Sequence, residues 1–334
     1  MWFILFIYSL LYLPNVTDYK SYLLEGKAQG TTYRVLYYAN DSLVTIKMMD
    51  NLLDGIDSSL SLYKPYSLIN RFNNETGGLI MDAHFEKVLN ASLETWRNTD
   101  GLFDITVKPL VQAWGFGVKK GMTIPTQDSI NQLLECTGSD KLTITGHTVS
   151  KKIACLQIDM NGIAQGYSVD MMAGLLEQAG IRNYLVELGG EIRIKGRKQP
   201  SEEMFQIGIE SPETNEWDQP ILKRQIRVPE GAVTTSGSYR NYYESNGTKA
   251  NHIIHPKTGY PVKNDLISVT VWARDAMTAD AYDNALMLMG LVNALEFIEA
   301  KKDMAAYFIY RDERGEIKDT ASSGFLKKIF MKMN

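Results

Sequence analysis

The sequence predicts a mixed α and β fold of the α+β class. Runs rich in β-branched and aromatic residues are interleaved with segments whose apolar residues recur at helical spacing, and no internal repeat or low-complexity linker divides them. The composition fits a packed chain: of 334 residues, 44% are apolar, 10% aromatic and 22% charged, which is globular rather than disordered. That length holds one large domain or two ordinary ones, at roughly 100–200 residues per domain. Gly and Pro are scattered without a clean boundary, so residues 20–334 read as a single domain.

Taken in order, Ala28 to Tyr38 (AQGTTYRVLYY) reads as a strand. Leu43 to Leu60 carries Val44, Met48, Met49, Leu52, Leu53 and Ile56 at helical spacing, and Asp82 to Thr99 does the same with Phe85, Val88, Leu89, Leu93 and Trp96. Ile124 to Glu135 is a helix entered through Pro125 and Thr126. Leu142 to Val149 and Ala154 to Asp159 read as paired strands. Gly166 to Ala179 is helical, with Gly180 suited to its C-terminal cap. Tyr184 to Leu188 and Ile192 to Lys195 are strands flanking Gly189-Gly190. Phe205 to Glu210, Ile221 to Val228 and Leu266 to Trp272 are strands as well. Ala276 to Met289 and Val292 to Ala300 are helices, and Met304 to Tyr310 is a last strand.

Composition excludes several functions. Lys and Arg number 35 against 39 Asp and Glu, a net charge of −4 with no basic block, which argues against nucleic acid as a partner. Two cysteines, Cys136 and Cys155, cannot build a four-cysteine zinc site, and the histidines His84, His147, His252 and His255 form no HExxH. Residues Met1 to Leu13 (MWFILFIYSLLYL) are apolar but short of the roughly 20 residues a membrane-spanning helix needs. They read as an export signal or anchor over residues 1–19, although no Lys or Arg precedes the run; a buried first strand or helix is the alternative. Export permits a disulfide, but the spacing does not demand one, and the cysteines read as two free, buried thiols.

Four clusters look unlike ordinary packing. Asp100-Gly-Leu-Phe-Asp-Ile-Thr106, followed by Trp114-Gly-Phe-Gly117, sets the carboxylate of Asp104 among apolar neighbours. There it needs donors or a cation, or it caps a helix beginning near Ile105. Asp159-Met-Asn-Gly-Ile-Ala-Gln-Gly-Tyr-Ser-Val-Asp170 reads as strand, glycine turn and helix, a geometry that offers N–H groups to phosphate, though two glycines also serve packing alone. Thr234-Thr-Ser-Gly-Ser238 with Asn251-His-Ile-Ile-His-Pro-Lys-Thr-Gly259 suits contacts to phosphate or a polar ring edge. A Ser236–His252 hydrolase lacks the GxSxG elbow. In Ala279-Asp-Ala-Tyr-Asp-Asn-Ala285, Asp280 and Asn284 share a helix face, which reads either as solvated surface or as oxygen ligands for a hard cation.

In their order, these clusters resemble the ApbE family of flavin transferases. The likeness runs from about Gly30 to Gly290 and includes Gly30-Thr-Thr-Tyr33, Leu60-Ser-Leu-Tyr63, Leu188-Gly-Gly-Glu-Ile192 and Pro256-Lys-Thr-Gly259. The resemblance implies a mixed α+β, T-fold-related unit with two lobes around FAD. It implies Mg2+-dependent transfer of FMN from FAD to a Thr or Ser hydroxyl of a target protein, with AMP leaving. The implied partners are exported flavoprotein subunits of membrane redox pumps, placing the chain on the periplasmic side of the inner membrane, with membrane association. By the same resemblance Gln29, Tyr63, Leu102, Phe103, Asp104, Asn161, Tyr167, His252 and Ile254 fall at FAD-binding positions, and the Ala164 carbonyl, Asp280 and Asn284 at metal-ligand positions. Several residues depart from the family pattern: Asn284 stands for Thr, Gln165 for Lys, His255 for Asp and Gln29 for Met. An amide oxygen still ligates a hard cation.

A displacement on a pyrophosphate needs charge neutralisation and alignment more than covalent work. The target hydroxyl needs a base, for which His252 is the first choice and Asp280 the second, an imidazole with a pKa near about 6.5 being able to accept a proton at neutral pH. Two other readings use the same residues: an FAD pyrophosphatase giving FMN and AMP, and a non-catalytic FAD-binding protein.

Overall fold

The computed structural model describes residues 19–118, 124–212, 222–238, 242–245 and 248–332, so the apolar segment Met1–Leu13 lies outside the described residues. The chain opens with a hairpin, β1 (Lys20–Ala28) and β2 (Thr31–Ala39), instead of one strand from Ala28 to Tyr38. Gln29 and Gly30 between them have φ of 52° and 77°, the paired positive values of a two-residue turn whose twist matches that of joined strands. Next come α1 (Ile46–Leu60), capped by the Thr45 hydroxyl, and α2 (Leu68–Asn74), capped by Ser67. A short β3 (Leu79–Ile80) leads to α3 (Ala83–Asn98), capped by Asp82. A 3-10 turn at Ile105–Val107 runs into α4 (Lys108–Ala113), and α5 (Gln127–Glu135) begins at Gln127, capped by Thr126, rather than at Ile124.

β4 (Leu142–Thr145) and β5 (Thr148–Lys151) pair with each other, and β5 also pairs with β3. The expected strand over Leu142–Val149 is therefore a hairpin, folded back at Gly146 with φ of 57°, and Ala154–Asp159 is not its partner strand but irregular chain. This return brings Cys155 beside the end of α5, where it is disulfide-bonded to Cys136 with Cα atoms 5.5 Å apart. The reading of two free thiols is corrected accordingly: sequence separation alone does not show that the chain doubles back here.

α6 (Asn161–Gln178) begins at Asn161 rather than Gly166. After it come β6 (Asn183–Leu188), β7 (Glu191–Lys195), β8 (Phe205–Glu210), β9 (Leu222–Val228), β10 (Gly231–Gly237), β11 (Tyr242–Ser245), β12 (Thr248–Asn251) and β13 (Leu266–Ala273). Two helices follow, α7 (Ala276–Met289) and α8 (Leu291–Glu299), and then β14 (Ala305–Arg311). The strand expected to be the last is succeeded by β15 (Ile317–Ala321), α9 (Ser323–Lys328) and β16 (Phe330–Lys332).

The main sheet has eight strands in the order β1-β2-β6-β7-β10-β13-β14-β15, with every neighbour antiparallel. Both faces are covered, so β14 reads as a nearly continuous apolar run. Ala306 and Phe308 point into the core beneath α7 and α8, whereas Ala305, Tyr307 and Ile309 point into the core shared with β8, β9 and α9. α1, α6 and part of α7 build the largest core, on the first of these faces.

α7 is buried almost all round: Ala276, Ala281 and Ala285 enter one core, Ala279, Tyr282 and Leu286 another. This packing overturns the solvated-surface reading of its polar residues, since Asp280 is 5% exposed and Asp283 2%. α6 and α7 meet at Gly166, where an added Cβ would lie 2.3 Å from the Ala276 carbonyl oxygen and 2.8 Å from Asp280 Cβ. Two carboxylates serve the start of α7: Asp275 accepts from the Thr278 N–H, and Asp170 accepts from the N–H groups of Ala276 and Met277 while paired with Arg193.

Gly166→Ala should therefore destabilise the protein by about 1–3 kcal/mol, because overpacking against backbone outweighs the better helix propensity of Ala. Denaturant unfolding checks this; equal or higher stability would show that the helices separate at little cost.

Candidate active site

A cleft of about 540 Å³ lies where the first turn of α6, the end of α7, the Tyr63 loop and the segments 102–116 and 252–254 converge. Gln29, Tyr63, Leu102, Phe103, Asp104, Asn161, Ala164, His252, Ile254 and Asn284 all line it. Among the residues singled out from sequence, Tyr167 and Asp280 do not line it. Tyr167 is 5% exposed, its hydroxyl 2.8 Å from His84 Nδ1, and burial together with Asp82 and Asp170 pushes its pKa up to about 12. It belongs to the core behind α6, one helical turn from the cleft-lining Ala164.

Local folding explains how each wall is held. Tyr63 is 65% exposed, yet its loop is fixed: Asn70 Nδ2 donates to the carbonyls of Ser61, Leu62 and Lys64. The backbone that carries this exposed aromatic ring is thus held at the rim. Asp104 does cap the 3-10 turn, accepting from the N–H and hydroxyl of Thr106 at 2.8 and 2.6 Å. It also accepts from the N–H and hydroxyl of Ser139 at 3.1 and 2.7 Å. Its carboxylate is spent on fixing the wall, so Asp104 shapes the cleft more than it offers a free charge. Lys257 and Asp100 form an exposed ion pair on the far side of this wall, within a separate open cleft of about 650 Å³ that no residue of α6 or α7 lines.

At the α6 start, Asp159 accepts from the Asn161 N–H at 2.8 Å, and Asp159 lines the cleft although sequence reasoning gave it no role. Burial raises its pKa, opposed by the Asn161 hydrogen bond and by Lys108. Asp280 Oδ2 accepts from the Gly166 N–H at 2.9 Å, joining α7 to α6. Burial pushes the Asp280 carboxyl up to about 7. Asn284, one turn on, donates from Nδ2 to the Asp280 carbonyl oxygen at 3.1 Å and accepts at Oδ1 from Ser236 Oγ at 3.1 Å. Ser236 thus joins the site as a partner of Asn284 rather than of His252. Next to Asn284, Asp283 is held far above the usual carboxylate range by burial and by the neighbouring charges of Asp280 and Glu191. Its signal in the sequence is the run of alanines around it, which marks a helix with no wet face.

His252 stands edge-on to Phe116, ring centroids 6.4 Å apart. His255, the departure near it, is used in the adjoining turn: its Nδ1 accepts from the Lys257 N–H, and burial lowers its pKa.

Among the described residues no group of three His, Cys, Asp or Glu could hold a metal ion. The oxygen donors that α6 and α7 carry there are a backbone carbonyl (Ala164) and an amide (Asn284) on residues that line the cleft, and a carboxylate (Asp280) buried behind them. They are hard donors of the kind Mg2+ prefers. A cation beside Asp280 would also offset the cost of burying that carboxylate without a basic partner.

The model of the ApbE family matches residues 29–308. The "FAD:protein FMN transferase" of Vibrio cholerae is 36% identical over 309 residues, covering 90% of this chain and 91% of the relative. That of Haemophilus influenzae is 37% identical over 319 residues, covering 92% and 90%. Among solved structures, the flavin transferase ApbE from Vibrio cholerae superposes with a TM-score of 0.82 at 33% identity, covering 93% of this chain and 99% of that one. The apo flavinyl transferase ApbE of Pseudomonas stutzeri gives 0.83 at 31%, covering 93% and 97%. With family match, curated relatives and fold all in agreement over most of its length, the chain belongs to the ApbE family.

Proposed function

We propose that this chain is an FAD:protein FMN transferase, acting with Mg2+ on exported flavoprotein subunits of membrane redox pumps. The observation that carries the reading is the convergence, on one cleft, of an imidazole (His252), an exposed aromatic ring (Tyr63), Ala164 and Asn284, with the Asp280 carboxylate buried behind them at the α6–α7 crossing. The names of the relatives and the resemblance of the apolar run Met1–Leu13 to an export signal support the substrate and the compartment; no helix among the described residues is long and apolar enough to cross a membrane.

In this reading Tyr63, Leu102, Phe103 and Ile254 hold the flavin nucleotide, and Asn161 lies beside its phosphates. Ala164, Asp280 and Asn284 would hold Mg2+, which supplies charge neutralisation at the diphosphate when bound. The N–H groups at the start of α6 add donors there. The acceptor hydroxyl oxygen forms a bond to the FMN phosphorus, the bond from that phosphorus to the bridging oxygen breaks, and AMP departs. His252 takes the hydroxyl proton. Asp280 is a poor alternative base, since it is buried away from the cleft with one oxygen bound to the Gly166 N–H.

Incubation of the protein with FAD, Mg2+ and a flavoprotein subunit should give a fluorescent acceptor band that EDTA abolishes. Asp280→Ala should lose the band by at least about 100-fold while keeping its melting transition. Undiminished labelling would remove Asp280 from the site, and free FMN and AMP without a labelled acceptor would point to hydrolysis.

The raised Asp280 carboxyl adds a pH signature. Below about pH 7 a cation must displace its proton, so Mn2+ affinity should fall up to about tenfold per pH unit from 7 towards 5. Titration of free Mn2+ at several pH values checks this; a flat profile over that range would contradict it.

A further inference from the structure

We propose that Gln29 and Ser168 form a positioning relay that weakens the hold of the Ala164 carbonyl on a cation. The proposal rests on the cation reading above. Gln29 sits in the β1–β2 turn in the left-handed region, φ 52°, where a non-glycine side chain is uncommon and worth explaining. Its side chain leaves the hairpin and reaches α6, where Nε2 donates to Ser168 Oγ at 2.8 Å. The amide nitrogen is the end that faces Ser168, so Gln29 donates and the hydroxyl accepts.

Ser168 Oγ in turn donates to the Ala164 carbonyl oxygen at 2.8 Å. A helical serine commonly bonds the carbonyl four residues back, and a free hydroxyl can rotate off that carbonyl when a cation arrives. Here it cannot do so cheaply. Gln29 takes an acceptor lone pair of the hydroxyl, the two hydrogen bonds run in one direction and polarise each other, and Ser168 itself is fully buried. The hydroxyl proton therefore stays on the oxygen that the cation needs. It occupies acceptor capacity there, and its partial positive charge opposes the ion. The resemblance places Gln29 at an FAD-binding position and it lines the cleft; in the relay its amide N–H acts on the carbonyl through Ser168.

The test uses Mn2+ as probe, with free ion counted by electron paramagnetic resonance during titration of the full chain. Gln29→Ala and Ser168→Ala should each tighten Mn2+ binding about 3- to 10-fold, the scale of one hydrogen bond. The double variant should bind no tighter than the better single one, because both substitutions break the same relay. A merely structural role would not tighten binding, and thermal melts show that each variant is folded. Unchanged or weaker affinity in folded single variants, or additive gains in the double, overturns the relay. Asp280→Asn, titrated in parallel, separates the relay from the site: loss of Mn2+ binding there, with no shift in the relay variants, overturns the relay alone, whereas retained binding overturns the cation reading on which it rests.

Discussion

The approach of α6 to α7 at Gly166 governs both the packing and the chemistry of this molecule. A residue without Cβ lets the two backbones come close enough for the Gly166 N–H to reach the Asp280 carboxylate. That single hydrogen bond crosses from the helix that starts at the cleft to the helix that is buried almost all round. Once the crossing is set, Ala164 and Asn284 face one cleft, and Asp170, one turn along α6, is placed to cap the start of α7.

The crossing has an electrostatic cost. Asp280 and Asp283 are both buried in a helix whose other neighbours are mostly alanine, leucine and methionine, and the nearby Arg193 is paired with Asp170. Burial without a cation favours the protonated carboxyl, which is the direction of shift in both. A fold optimised for stability alone would place apolar residues at these positions. Two buried carboxylates without a basic partner beside the cleft-lining Asn284 are the physical argument behind the cation proposed for this site.

Much of this was legible in the sequence, for identifiable reasons. The helices over 46–60 and 83–98 announce themselves by apolar spacing, read from sequence as 43–60 and 82–99, while Thr45, Asp82 and Thr126 prove to be the caps that set where the helices begin. Strands β6, β7, β8 and β13 are visible from their β-branched residues and the turns around them. What failed depended on tertiary context. Gly146 turns Leu142–Val149 back on itself, and no local pattern distinguishes that hairpin from a single strand paired with the next. The disulfide follows from that return. Asp280 and Asn284 read equally as wet surface until the second core, around Ala279 and Leu286, is seen to cover the other side of the helix. Tyr167, at an FAD-binding position by resemblance, has its hydroxyl on His84, a partner 83 residues away that no local pattern shows.

The central claim is that the α6–α7 crossing holds the cation. Anomalous diffraction from crystals grown with Mn2+, collected above the manganese edge, addresses it most directly. The account predicts one strong peak bounded by the Ala164 carbonyl, the Asp280 carboxylate and the Asn284 amide oxygen. A peak in the cleft lined by Trp96, Asp100 and Asp140, with no density at the crossing, would contradict it.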